Sequence, residues 1–495
     1  MFDRKMYLLV GFILVSLIYA LPVEQSTAEA VANSRLVHDG RQEDHSIASL
    51  TVIKDDETAS ALAYVFELDP TGYVIVGADN QLPPVIAYSY TNLCRDDRYD
   101  RNILFDIVKR DIIARLANAG SIPKGIKTKY EKQWHEYITR DFVTLAPALF
   151  EQWPPAGSTP TGGWLMENWS QGAPYNSYCP MDNNAGQRSV AGCPAVAMAA
   201  IVNFQEKING TRFDDSDDYY HNFYEQYWID DDHVAHDFPS WPELDVYLDT
   251  LENHYAQSIP PTSSDKAALV FASGVACHQV YSASISGTYG ITQAAIAYQR
   301  FNFVESELLY DSSAYLFERL SQNMMDAMPA HMGIVDEGPT YGHNIVVDGY
   351  NTDSFYHFNF GWSGSYNGWY QFPLTGMPYG MNIIEGIILD IGDSSQYRVK
   401  DADDLQSGGI FLTMACSGNP VRSDLGIRIT LRQTCHVNLA IYSITGRLVA
   451  ILADREFSRG SHRLNWNADG LASGVYIVSA MSPQGRVSEK IIVLK

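Results

Sequence analysis

Cys193 opens the helical part of QRSVAGCPAVAMAAIVNF, residues 187–204, where a Gly/Ser-containing turn gives way to an apolar run. Pro194 falls at the first helical position, where a missing N–H costs nothing. Residues 195–202 are apolar on every face and predict a buried helix, stopped by Asn209-Gly210. A thiol at such a helix start meets unpaired N–H groups and the positive end of the helix dipole. Both favour the thiolate, which is the nucleophilic form. A cysteine taken at random is an inert buried thiol, so its partners must decide.

The stretch YGHNIVVDGYNTDSFYHFNFGWSGSYNGWY, residues 341–370, supplies them. His343 begins an apolar strand over 345–347. Asp348-Gly349 and residues 351–353 read as turns, and residues 355–360 as the return strand. A hairpin centred near Thr352 sets His343 opposite residues 359–361. There the Asn359 side chain or the Phe360 carbonyl accepts the proton of one ring nitrogen and turns the other toward the thiol. One residue of register exchanges the two choices, and both stay open. Trp362 would shield the pair from water, and equally fits a core tryptophan of an aromatic-rich sheet. An acyl-transfer site also needs donors for a developing oxyanion: the backbone N–H of Cys193 and the side-chain amide of Gln171, on a turn-rich loop upstream.

Several elements must position these groups. Residues 21–150 read as a small α+β domain, with a hairpin over 64–68 and 73–77 and a helix over 102–118. Pro154, Pro155, Gly157, Pro160, Gly162 and Gly163 read as a linker-like interval, with a domain boundary near Phe150. A second linker, DADDLQSGG, covers 401–409. Beyond it, β-like runs at 427–432, 437–442, 448–452, 463–466, 475–480 and 490–494 predict an all-β sandwich. Cys416 and Cys435 lie close enough in sequence to pair within it.

The chain of 495 residues is too long for one core. Its 34 basic and 58 acidic residues, a net charge of -24, exclude a nucleic-acid partner, because little would neutralise phosphates. Residues 1–20 have the layout of a secretory signal peptide: Arg4 and Lys5, then an apolar stretch, then Ala20. Six cysteines in so long an exported chain do not make a disulfide scaffold. His135-Glu136 lacks the second histidine of a zinc-peptidase helix, since Thr139 stands there. The aspartates at 214–218 and 230–232 lack the spacing and glycine of a calcium loop and read as solvated surface.

The order Gln171, Cys193, His343, with WxQxxPYN before the cysteine, GHxxVVDGY at the histidine and HxNxGWxGxxxGxY after it, resembles the streptopain family of papain-fold cysteine peptidases, over roughly 164–392. The resemblance implies an α+β papain-like peptidase domain made as an inactive zymogen, acting on protein or peptide substrates with no metal or organic cofactor. Carried over, Cys193 is the nucleophile, His343 the general acid/base, Gln171 the oxyanion donor and Trp362 the packing residue. YSASISGTYG, residues 281–290, resembles the family's cleft-lining segment, with Ser286 and Gly287 as backbone contacts to substrate. Residues 52–119 resemble its propeptide, an intramolecular inhibitor. The C-terminal strands are similar to sorting domains read by a Bacteroidetes-type outer-membrane secretion machinery. That implies an extracellular or cell-surface location on a Gram-negative-type bacterium. The chain then divides into a signal peptide (1–20), propeptide (21–150), papain-like domain (151–398), linker (399–412) and Ig-like β-sandwich (413–495). Pro194, Phe360, Ala200 and Ser363 depart from the family's usual residues without removing a reacting group. They motivate a rival reading, an inactive family member serving as a surface-displayed binding module. Acyl transfer to an amine rather than water is a third.

Overall fold

The computed structural model describes residues 22–94, 103–122, 124–140, 150–310, 313, 316–335, 342–371 and 384–392, and most of 412–493 with short breaks. The expected signal peptide and the 401–409 linker lie outside the described residues. The chain forms two compact units, one ending at Ser394 and the other starting at Ser395.

In the first unit one antiparallel sheet crosses the expected prodomain boundary. It begins with Ser46–Lys54, Ala61–Asp69, Tyr73–Gly77 and Val85–Ser89, then continues through Gly368–Gln371, Phe355–Asn359, Gly342–Asn351, Ala330–Val335, Ile384–Leu389 and Glu307–Leu309. The join is a short ladder, Trp369 opposite Tyr88 and Tyr370 opposite Ala87. Around it Tyr73 Oη meets Tyr370 Oη at 2.7 Å, the Leu93 carbonyl accepts from the Tyr366 N–H at 2.9 Å, and Arg115 donates to the Gln371 carbonyl at 2.9 Å. Buried tyrosine hydroxyls without such partners would cost free energy, so this contact is specific as well as apolar. The residues on either side of the 154–163 interval are packed, while residues 155–158 and Pro160 are exposed. Gln152–Trp153 pairs with Tyr350 and Asn351, and the Trp164 N–H donates to the Asp348 carbonyl.

Side-chain alternation along the strands sorts two cores. Val346 and Ile388 face the helices Cys193–Gln205, Ser263–Ala276 and Ile291–Arg300, whereas Ile345, Val347, Ile387 and Leu389 pack on the other face with Phe358 and Phe360. The helix Cys193–Gln205 has ten buried residues of 13, as its all-apolar sequence requires. It ends at Glu206, in the left-handed conformation with φ 50°, before Asn209-Gly210 is reached.

The expected N-terminal hairpin and helix appear as Ala61–Asp69 with Tyr73–Gly77, and as Ile103–Ala117. The second unit is two antiparallel sheets, one of Leu412–Ser417, Asp424–Leu431 and Gly460–Asn467, the other of Leu448–Phe457, Cys435–Ser443, Gly474–Ser482 and Gly485–Val493. Both supply one core, including Ile427, Ile429, Val437, Leu439, Val478 and Ile491. Cys435 is a free buried thiol, and the side chain of Cys416 lies outside the described residues. The aspartates are less idle than expected: Asp214 caps a short helical turn, Asp217 pairs with Arg300 and Asp218 accepts from the Trp241 indole.

Candidate active site

Three hydrogen bonds from two loops fix the turn that delivers Cys193. The Gln171 carbonyl accepts from the Ala191 N–H at 2.8 Å, the Ser282 carbonyl from the Val190 N–H at 3.0 Å, and the Gln279 amide donates to the Ala191 carbonyl at 2.7 Å. Gly192 precedes the cysteine with φ 83°, a region costly for any residue with a Cβ. A Cβ there would also overlap the buried Gln279 amide, with its Cδ and Nε2 at 2.6 Å. Cys193 itself is partly buried at the helix N-terminus. Burial pushes its thiol up, and Asn344, with the helix's own N–H, pulls part of that back. The net direction is upward, opposite to the expectation from the helix terminus alone: desolvation of the thiolate outweighs these hydrogen bonds.

His343 lies on Gly342–Asn351, 8 % exposed. Its Nε2–H donates to the Phe360 carbonyl at 2.9 Å, and the ring stacks on Trp362 with centroids 4.0 Å apart. A carbonyl only accepts, so the proton belongs on Nε2 and Nδ1 keeps the lone pair. Burial holds this imidazole down to about 4, hence neutral near pH 7. Of the two partners left open by the sequence, the carbonyl makes the contact. The Asn359 Oδ1 accepts from the Gly361 N–H at 3.1 Å, and its buried Nδ2 has no hydrogen-bond partner among the described residues.

The register differs from expectation for a physical reason. Asp348-Gly349 is not a turn; the strand runs on to Asn351 with an irregularity between Val347 and Gly349, and Val346 pairs with Asn359. Asp348 stays inside because its carboxylate meets His357 Nδ1 at 2.6 Å and accepts from the Leu165 N–H at 3.1 Å.

The sulfur of Cys193 meets a residue the sequence reading passed over. Asn344 Nδ2 donates to Sγ at 3.9 Å, while Asn344 Oδ1 lies 2.8 Å from His331 Nε2. Among the described residues no hydrogen bond joins Cys193 to His343. Asn344 could have been found from its place beside the histidine, and His331 from the single polar side chain in an otherwise apolar run, AHMGIV. Gln171 is partly buried on the loop that braces Ala191. Ser286 is buried, its hydroxyl engaged with Ser282, and both backbone groups of Gly287 are paired with Val280 at 2.9 and 3.0 Å.

Three regions of the chain match known protein families. Residues 20–112 match the Spi protease inhibitor model, 169–370 the Peptidase C10 family, and 418–494 the secretion system C-terminal sorting domain. The thiol protease/hemagglutinin PrtT of Porphyromonas gingivalis is 25% identical over 384 residues, covering 74% of this chain and 40% of that protein. The chain thus spans well under half the length of that relative. Streptopain of Streptococcus pyogenes is 22% identical over 392 residues, covering 73% and 88%. The solved prointerpain A fragment of Prevotella intermedia is 17% identical, covering 70% of this chain and 99% of the fragment, with a TM-score of 0.44. Between a Spi protease inhibitor domain and a sorting domain that marks it for export to the cell surface or beyond, the chain carries a domain of the Peptidase C10 family, the streptopain family of cysteine peptidases.

Proposed function

We propose that the chain is an exported cysteine endopeptidase made as a zymogen. One observation carries the reading: the His343 ring is held between the Phe360 carbonyl and Trp362 in the tautomer that leaves Nδ1 as the base, and the next residue along its strand, Asn344, donates to the sulfur of the helix-terminal Cys193. Nδ1 takes the proton of Cys193, and the thiolate of the resulting charged pair attacks the scissile carbonyl. Gln171 and the Cys193 N–H hold the oxyanion, and the imidazolium then protonates the leaving amine. Water, deprotonated by the same Nδ1, releases the acyl group.

Latency has two supports. Residues 22–94 extend the peptidase sheet and bring Leu93 against the 362–366 loop, beside the histidine's cover. Burial also keeps the thiol protonated and the imidazole neutral, the unreactive form of the pair. Removing the N-terminal region would admit water and substrate and favour the charged pair. Incubating the full chain under reducing conditions, and reading new N-termini by mass spectrometry, tests this. Self-processing in wild type and none in Cys193→Ala is expected; processing at the same rate in both would refute it.

A further inference from the structure

The groups behind Asn344 form a chain with a direction. Tyr298, His331 and Asn344 come from a helix and two adjacent strands, Ile291–Arg300, Ala330–Val335 and Gly342–Asn351. Tyr298 and His331 are fully buried. Tyr298 Oη lies 3.1 Å from His331 Nδ1, His331 Nε2 lies 2.8 Å from Asn344 Oδ1, and Asn344 Nδ2 reaches Cys193 Sγ at 3.9 Å. With the Asn344 amide donating to sulfur, its oxygen must accept from His331 Nε2–H. Nδ1 then carries no proton and accepts from the Tyr298 hydroxyl. Every donor points toward the sulfur.

We propose that Tyr298, His331 and Asn344 are positioning residues: a one-way chain of donors that fixes the Asn344 amide on the Cys193 sulfur and stabilises its thiolate. This rests on the reading of Cys193 as the nucleophile. The chain is uncharged, since burial pulls His331 down to about 4 and pushes the Tyr298 phenol up. It answers a need of the site: a buried thiolate loses water, and a fixed amide replaces part of that solvation. An unfixed amide could turn its oxygen to the sulfur and repel it. The other titratable groups near this arrangement are His343, bound to the Phe360 carbonyl, Cys277, pushed by burial up to about 12, and Glu385, which accepts from the Ile291 N–H at 3.1 Å. None of the three receives a hydrogen bond from the chain.

The test follows alkylation of Cys193 by iodoacetamide in the full-length protein between pH 5 and 10, quantified on the peptide carrying Cys193. His331→Phe breaks the chain, and the alkylation midpoint should rise by about one pH unit, about tenfold slower labelling below it. His331→Gln keeps a donor at the Nε2 position and should restore the wild-type midpoint. Tyr298→Phe should shift it the same way by less, and Asn344→Ala by at least as much as His331→Phe. A midpoint unmoved in His331→Phe, or moved equally in His331→Gln, overturns the proposal. Should His331→Phe not fold, unmoved midpoints in both Tyr298→Phe and Asn344→Ala do so instead. Peptide hydrolysis by the processed wild-type protein is measured separately: its absence defeats the peptidase reading and leaves the alkylation profile readable.

Discussion

Replacing Gly192 by alanine loads the turn that delivers the thiol, and the structure sets the size of the effect. The backbone at φ 83° costs a residue with a Cβ about 1–2 kcal/mol. The added methyl cannot be accommodated without moving the Gln279 side chain, which is fully buried and donates to the Ala191 carbonyl at 2.7 Å. Overpacking of this kind costs about 1–3 kcal/mol. The sum is about 2–5 kcal/mol, a large part of the stability of an ordinary domain. The strain falls one residue before Cys193, so displacement of the sulfur from Asn344 should also slow its alkylation. Urea unfolding of the full chain gives the first quantity and labelling of the Cys193 peptide the second. Gln279→Ala removes the collision, so adding Gly192→Ala to it should cost only the backbone share, with a coupling of about 1–3 kcal/mol between the two sites. A Gly192→Ala protein with wild-type unfolding and labelling would refute the account of this turn.

Other perturbations follow from the same contacts. His331 and His343 are buried neutral, each lowered from 6.5 to about 4, so the unfolded chain binds protons more readily between those values. Their contribution to stability is complete above about pH 6.5 and is lost as the pH falls toward 4, by at most roughly 3 kcal/mol each. Urea midpoints at pH 7, 5 and 4 should fall together in wild type and fall less in His331→Gln. Trp362→Ala removes the 4.0 Å stack on His343 and a large buried side chain, and should cost about 3–5 kcal/mol with a loss in kcat greater than any change in KM. Tyr73→Phe removes the hydroxyl that meets Tyr370 at 2.7 Å across the join, leaving that partner short of a bond. Processing of the full chain in reducing buffer should be faster, read as intact protein against time.

Sequence reasoning reached the parts of this molecule that local chemistry dictates. The helix behind Cys193 is apolar on every face and had to be buried, and the Asp69-Pro70-Thr71-Gly72 turn had to join two strands. It misplaced what depends on partners distant in the chain. Asp348-Gly349 has turn residues, yet His357 and the Leu165 N–H hold Asp348 inside a strand, and that shifts the register of the histidine hairpin. The proline- and glycine-rich interval after Phe150 looks like a linker, yet Gln152 and Trp153 at its start pair with Asn351 and Tyr350 of the sheet. Asn344 and His331 went unnoticed because their local signals, a place beside His343 and a lone polar side chain in an apolar run, do not connect them: they meet only when two strands pair Gly333 with Asn344. The upward displacement of the Cys193 thiol likewise depends on burial, which a helix-terminus argument does not contain.

The most direct test is peptide hydrolysis by the processed enzyme, measured together with labelling by a thiol-directed peptidyl inhibitor, in wild type, Cys193→Ala and His343→Ala. The account predicts one adduct, on the Cys193 peptide, no hydrolysis without the sulfur, and a loss of at least about 100-fold without the imidazole. Undiminished hydrolysis in Cys193→Ala, or wild-type rates in His343→Ala, would contradict it.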